Sequence, residues 1–298
     1  VECPEAWKKV IENVGQKGKV VMMIGASDTG KTTFSRLLLK EVLHKGMRAA
    51  FIDADVGQSV IGPPTTLGLS LLSGPEDLES PRPFCLYFLG ATSPAQGLLP
   101  AVVGLAKLYK KALSLEVDFV LVDTTGLVAG DIGFQLKYYE VEVIAPTDLI
   151  ALQRGMELEH ILRALRSRGK PLIWDVAPSA KVQRRDQIQR QLYRFKKFKE
   201  YFEGASLLEF DLKEVPLVDP TFPHAEDIAQ RAIGRVVGLI DGEGFALGIG
   251  IIAEAQGTQL KVLTPVKEIE GVRALHLGRV VIDGGGQKIG NPPTDVVR

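Results

Sequence analysis

The sequence predicts an α/β fold, a P-loop NTPase with a parallel sheet flanked by helices, and a small, mostly β domain at the C-terminal end. Three observations carry that prediction. Apolar strands alternate with helical stretches through the first two-thirds of the chain. Residues 25–32 read Gly-Ala-Ser-Asp-Thr-Gly-Lys-Thr, a complete G-x-x-x-x-G-K-[ST] motif between a strand and a helix. Beyond about residue 204, helical patterning fades, and short strands separated by Gly-rich turns take over.

The elements follow in order. Residues 4–15 predict a short helix, with Trp7, Val10, Ile11 and Val14 on one face. Residues 19–24 predict a buried strand, and 32–44 a helix with Phe34, Leu37, Leu38 and Val42 inward and Gly46 as its stop. A second strand covers 48–53. The stretch 56–82, rich in Gly, Pro, Ser and Thr, is expected to be an ordered loop region. A strand at 83–89, a helix at 98–115 and a fully apolar strand at 117–123 come next. Helix 133–144, strand 149–152, helix 157–168 and strand 172–175 precede a long polar helix over 180–202. The expected domains are 1–203 and 204–298.

The chain has 298 residues, enough for a full core and a second domain. Lys+Arg and Asp+Glu number 36 each, so only a local basic patch could attract nucleic acid. Cys3 and Cys85 fit neither a metal spacing nor a disulfide framework. No apolar run reaches the ~18 residues of a membrane span, and no signal peptide is evident. The expectation is a cytoplasmic protein with no membrane partner.

The loop at 25–32 has a direct physical purpose. Gly25 and Gly30, with Ala26, Ser27, Asp28 and Thr29 between them, let backbone N–H groups turn inward around phosphates. The helix N-terminus adds a favourable dipole. Lys31 is placed to bridge the β- and γ-phosphates, Thr32 to ligate Mg2+, and Thr33 to flank them. The ligand expected here is ATP with Mg2+.

Strand ends carry the acids. One strand ends in Asp53-Ala-Asp55-Val-Gly57-Gln58, another in Asp123-Thr124-Thr125-Gly126. C-terminal strand ends of an open parallel sheet face the ligand crevice. Asp53 or Asp123 is therefore a candidate for the magnesium shell, and another acid can take the proton of an acceptor hydroxyl. The basic stretch 181–199 includes Arg184, Arg185, Arg190 and Arg194, with Asp186 as its only acid before Glu200. Arg184, Arg185 and Arg190 are candidates for a lid that neutralises transition-state charge.

Together these motifs resemble the Clp/Grc-type polynucleotide 5′-hydroxyl kinases. The resemblance runs over about 25–204. It rests on the P-loop with Asp28, the Asp53-Ala-Asp-Val-Gly-Gln58 element, Pro63-Pro-Thr65, Asp123-Thr-Thr-Gly126, Gly133-Phe-Gln-Leu-Lys, Asp148-Leu-Ile-Ala-Leu-Gln153 and the Arg-rich segment ending at Gly204. It implies ATP-dependent phosphorylation of single-stranded RNA or DNA at 5′-hydroxyl ends. Asp55 matches the general base, and Lys31 and Thr32 match the P-loop lysine and magnesium ligand. Asp53 and Gln58 fall on the acceptor side. Thr124, Thr125, Gly126 and Leu127 match a substrate clasp in which the family has Trp at the last position. Leu127 can pack on a base but offers no aromatic ring.

Two other classes stay open on sequence alone. Asp123-Thr-Thr-Gly126 also resembles the D-x-x-G switch of a GTPase, which would bind protein partners. The guanine-reading Asn-Lys-x-Asp is missing from the later strand, where Gln153-Arg154 stands. A small-molecule kinase is the third class. An extended basic segment has no purpose for a neutral acceptor, and salt sensitivity would separate the two.

Overall fold

Period-two alternation explains why the central sheet is covered on both faces. The computed structural model describes residues 3–182, 185–219 and 231–282, with the backbone of 288–290. The first helix is α1 (Glu5–Val14), followed by β1 (Lys19–Gly25), α2 (Lys31–His44) and β2 (Ala49–Ala54). Next come β3 (Thr66–Leu72), β4 (Cys85–Phe88), α3 (Leu98–Leu113), β5 (Phe119–Thr124) and α4 (Gly130–Ile144). Then β6 (Asp148–Leu152), α5 (Glu159–Arg166), β7 (Leu172–Val176) and α6 (Gln187–Tyr201) complete this half.

Strands β2-β5-β1-β6-β7 are parallel neighbours in that order. Met22, Ile24, Ile52 and Val122 point to one face, where Leu105, Val141 and Ile161 of α3, α4 and α5 cover them. Val21, Met23, Phe51 and Leu121 point to the other, under Trp7 of α1 and Phe34 and Leu38 of α2. Each fully buried side chain of this size contributes about 1.5–3 kcal/mol. The chain runs outward from β1 to β2, returns through β5, and then grows the other way through β6 and β7. The reversal beside β1 opens the crevice that parallel sheets use for ligands.

Two elements depart from expectation. The region 56–82 contains a strand, β3, antiparallel to β2 and to β4. Its glycine and serine mask it, because Gly68 has to be bare. A Cβ there would lie 2.5 Å from Ile61 Cγ2 and 2.7 Å from Ile61 Cβ. Because β3 reverses the chain, β4 runs parallel to β2 and delivers residues 89–94 to the edge where Asp55 stands. The helix expected over 180–202 is α6, which begins only at Gln187. Asp186 stops it with a reciprocal cap, accepting from Gln189 N–H at 2.7 Å while Gln189 Oε1 accepts from Asp186 N–H at 3.0 Å. Before it, Val182 lies beside Gly30 and Arg185 meets Asp28 of the P-loop.

The C-terminal strands are β8 (Ser206–Asp211), β9 (Leu217–Val218), β10 (Arg235–Ile240), β11 (Ala246–Gln256), β12 (Gln259–Thr264), β13 (Ala274–Ile282) and β14 (Lys288–Gly290). They continue the same sheet rather than standing beside it, since Ala246 of β11 pairs with Leu86 of β4. The sheet is therefore mixed, parallel only in its centre. Phe198 of α6 is buried against Val236, Ile249 and Val280 of these strands. Ile249 N–H donates to Tyr201 Oη at 2.9 Å, which ties the far end of α6 to β11. Among the described residues, no helix is long and apolar enough to cross a membrane.

Candidate active site

The P-loop takes its shape from contacts that leave no room for side chains. Gly30 has φ 92° and opens α2 in the left-handed region. A Cβ on Gly126 would sit 2.4 Å from Ser27 Oγ and 2.5 Å from Ser27 N, so the loop after β5 packs directly on the P-loop. Thr29 Oγ1 donates to Ala26 O at 2.9 Å. Lys31 Nζ donates to the carbonyls of Gly25 and Ala26 at 2.9 and 3.0 Å. Burial pushes the Lys31 ammonium below its ordinary pKa, opposed by Asp123, Asp55 and Asp28.

One cavity of about 1390 Å³ collects most of the expected residues. Pockets for single small ligands run to about 300–1,000 Å³, so this one has room for more than one such group. Its wall includes Ser27, Asp28, Gly30, Lys31, Thr32 and Thr33 from the P-loop. Asp55 and Gln58 enter from the loop after β2, and Thr125, Gly126 and Leu127 from the loop after β5. Arg185 and Arg190 close it from above. Arg184 lies outside the described residues.

Asp55 Oδ1 accepts from the N–H groups of Gly57 and Gln58, both at 3.1 Å, which fixes the carboxylate at the cavity wall. Asp53 turns away. Its Oδ2 accepts from Ser59 Oγ, Val60 N–H and Ile61 N–H, and its Oδ1 from Asp55 N–H. Both oxygens are occupied, so Asp53 shapes the loop 55–61 instead of offering a magnesium or substrate ligand. Burial, then the charges of Asp123 and Asp55, pushes its carboxyl up to about 7, and the hydrogen bonds only partly offset this. Thr124 is likewise corrected. It is fully buried, and its hydroxyl donates to Met23 O at 2.7 Å, stapling β5 to β1.

Asp123 behaves differently from Asp53. Burial raises its carboxyl to about 6, opposed by Lys31 and by a hydrogen bond with the Thr32 side chain. Its Oδ1 is buried and has no hydrogen-bond partner. An orphaned buried carboxylate oxygen beside a P-loop threonine fits an oxygen-seeking dication such as Mg2+.

The lid is held by bridges between distant segments. Arg190 reaches Asp28 Oδ2 at 2.5 Å, and Arg185 reaches Gln58 Oε1 at 2.7 Å. Tyr193 Oη donates to Ser59 O at 2.9 Å. Arg194 also lines the cavity, where partial burial lowers the pKa of its guanidinium and the charge of Asp55 opposes that. Its position one turn after Arg190 was the signal that could have marked it. Thr92, Ser93 and Pro94 line the cavity too. Their place depends on β3, which sets the direction of β4. Trp7 is buried, with its Nε1 donating to Ala177 O at 2.9 Å and its ring 5.0 Å from that of Phe34. This matches its reading as part of an inward helix face.

The family described as mRNA cleavage and polyadenylation factor CLP1 P-loop matches residues 25–204. A polyribonucleotide 5′-hydroxyl-kinase of Thermococcus kodakarensis is 28% identical, with 97% of this chain and 96% of the relative covered. One from Pyrococcus abyssi is 30% identical over 94% and 92%. Xenopus tropicalis polyribonucleotide 5′-hydroxyl-kinase Clp1 is 27% identical, with 96% of this chain but 64% of the relative covered. In fold, the chain is similar to a Clp1p–Pcf11p complex structure, at TM-score 0.72, 15% identity and coverage of 92% of this chain and 79% of that one. The chain belongs to the CLP1 P-loop family.

Proposed function

We infer that this member of the family is an ATP-dependent polyribonucleotide 5′-hydroxyl kinase, and we propose roles for its residues. The observation that carries the reading is that one cavity is lined at once by Lys31 and Thr32, by Asp55, and by Arg185, Arg190 and Arg194. Phosphoryl transfer to an alcohol needs those three things in one place: a phosphate cradle, a base and mobile positive charge.

The P-loop backbone and Lys31 hold the triphosphate. Thr32 and Asp123 would hold Mg2+, which when bound neutralises charge on the β- and γ-phosphates. Asp55 accepts the proton of the acceptor 5′-hydroxyl. The new bond forms from that oxygen to the γ-phosphorus, the bond to the β,γ-bridging oxygen breaks, and ADP leaves. Arg185, Arg190 and Arg194 balance negative charge on the transferring group. Thr125 and Leu127, with Gln58, guide the end of a single-stranded acceptor, and the bare Gly126 between them seats their loop on the P-loop. Leu127 grips the terminal base by apolar contact, so selectivity among bases is weak, and DNA ends are accepted beside RNA. The chemistry is assigned to residues 1–203, and the strands after 204 brace the lid.

The test is transfer of the labelled γ-phosphate of ATP to 5′-hydroxyl RNA and DNA oligonucleotides. Labelled 5′-phosphate on RNA is expected. Hydrolysis of nucleotide with no labelled acceptor of either kind would overturn the reading in favour of a nucleotide switch.

A further inference from the structure

Asp28 joins the P-loop to the lid in a way the motif does not require. Its φ is 56°, in the left-handed region that aspartate, asparagine and glycine adopt more readily than other residues. Three arginines from elsewhere in the chain converge on it. Arg190 of α6 and the backbone N–H of Arg185 both donate to Oδ2, at 2.5 and 3.1 Å. The Arg154 guanidinium, from the loop after β6, donates to the Asp28 carbonyl. The carboxylate is largely shielded, with a side chain 15% exposed.

A carboxylate at this place opposes the bound triphosphate, because like charges a few ångströms apart repel. Its benefit lies on the lid side. Arg185, held by its own N–H on Asp28, extends its guanidinium to Gln58 on the acceptor loop. Arg190, held on the same carboxylate, places Arg194 one helical turn further along the same face, in the cavity with Asp55. The start of α6 is thus registered against the P-loop, and its arginines follow.

We propose that Asp28 is a positioning residue, whose carboxylate sets Arg185 and Arg190 over the P-loop before the acceptor arrives. Its catalytic consequence rests on the kinase reading, while its effect on lid order does not.

Asp28→Gly and Asp28→Asn test this, since both residues accept the left-handed backbone. The first readout is tryptic cleavage within 181–194 of the nucleotide-free protein. Loss of charge-assisted hydrogen bonds should speed cleavage by about tenfold in Asp28→Gly. Asn keeps one acceptor oxygen and should fall between. The second readout separates kcat from nucleotide affinity. Misplaced arginines should lower kcat by about 10- to 100-fold. Nucleotide binding should be unchanged or tighter, because a repulsive charge is gone. In an Arg190→Gln background, Asp28→Asn should add little to either readout. Unchanged cleavage in Asp28→Gly would overturn the proposal. So would equal losses of kcat and nucleotide affinity, which would mark simple P-loop damage. If the wild type phosphorylates no acceptor, the kinase reading fails, and the cleavage comparison still decides the role of Asp28.

Discussion

The two ends of the cavity are built by opposite means. At the nucleotide end, shape comes from backbone: Gly30 in the left-handed region and Gly126 pressed against Ser27, with Lys31 emerging within the same short segment. At the acceptor and lid end, shape comes from side chains that bridge long stretches of chain. Arg190 meets Asp28 across 162 residues, Tyr193 meets Ser59 across 134, and Arg185 meets Gln58 across 127. A cradle made of backbone is rigid and suits an invariant group such as a triphosphate. A wall made of bridges can part and close, which suits an acceptor that enters and leaves as a polymer end.

Damage at the two ends should therefore separate. The largest effect on nucleotide affinity is expected from Gly126→Ala. Its Cβ would lie 2.7 Å or less from three atoms of Ser27, so the P-loop has to move. Overpacking of this kind costs about 1–3 kcal/mol. Nucleotide affinity, measured with a fluorescent ATP analogue, should fall by roughly tenfold or more. Unaltered affinity would show that the cradle is softer than its contacts indicate. Tyr193→Phe acts on the other end by removing the hydroxyl that donates to Ser59 O. A hydrogen bond of this type is worth about 1 kcal/mol. The KM for the oligonucleotide should rise a few-fold with nucleotide affinity constant, and a shift in nucleotide affinity instead would blur the division.

A third effect, on stability rather than on either substrate, is a pH slope from Asp53. Its carboxyl is raised to about 7 in the folded protein from an ordinary 3.8. The protonated acid is then the form that the fold favours. Its contribution to stability is full below the ordinary value and is lost as pH rises through about 7. Asp53→Asn removes that titration. The stability of the wild type relative to the variant should decline between pH 4 and 7, as followed by thermal unfolding. A difference that does not vary with pH would mean that the loop 55–61 holds Asp53 as a carboxylate throughout.

The same contrast governs how much could be read in the sequence. The P-loop was legible because its residues are contiguous and its flanks, β1 and α2, are apolar and periodic. Asp55 and the Thr125–Leu127 segment were legible because strand ends in a parallel sheet share an edge. Asp53 and Thr124 were misassigned for the same reason. The edge tells which residues are near, while only the hydrogen bonds tell which way they turn. Strand β3 was hidden by Gly68 and Ser70, whose smallness serves packing rather than flexibility. With β3 unread, the direction of β4 was unknown, and Thr92–Pro94 could not be placed. The start of α6 was hidden under the charge of its neighbours, although Asp186 and Gln189 stand at capping spacing. The bracing of α6 by β11 through Tyr201 and Phe198 depends on contacts that no local pattern encodes.

The most direct test of the account is single-turnover transfer by Asp55→Ala, with nucleotide affinity measured alongside. Asp55 lines the cavity, is fixed by hydrogen bonds from its own loop, and makes no hydrogen bond to the P-loop among the described residues. Transfer to a 5′-hydroxyl oligoribonucleotide should fall on the order of 10²–10⁴-fold, the scale of a general base, while ATP binds as tightly as in the wild type. Transfer at the wild-type rate would remove Asp55 from the reaction, and a parallel collapse of ATP binding would contradict the separation of the two ends.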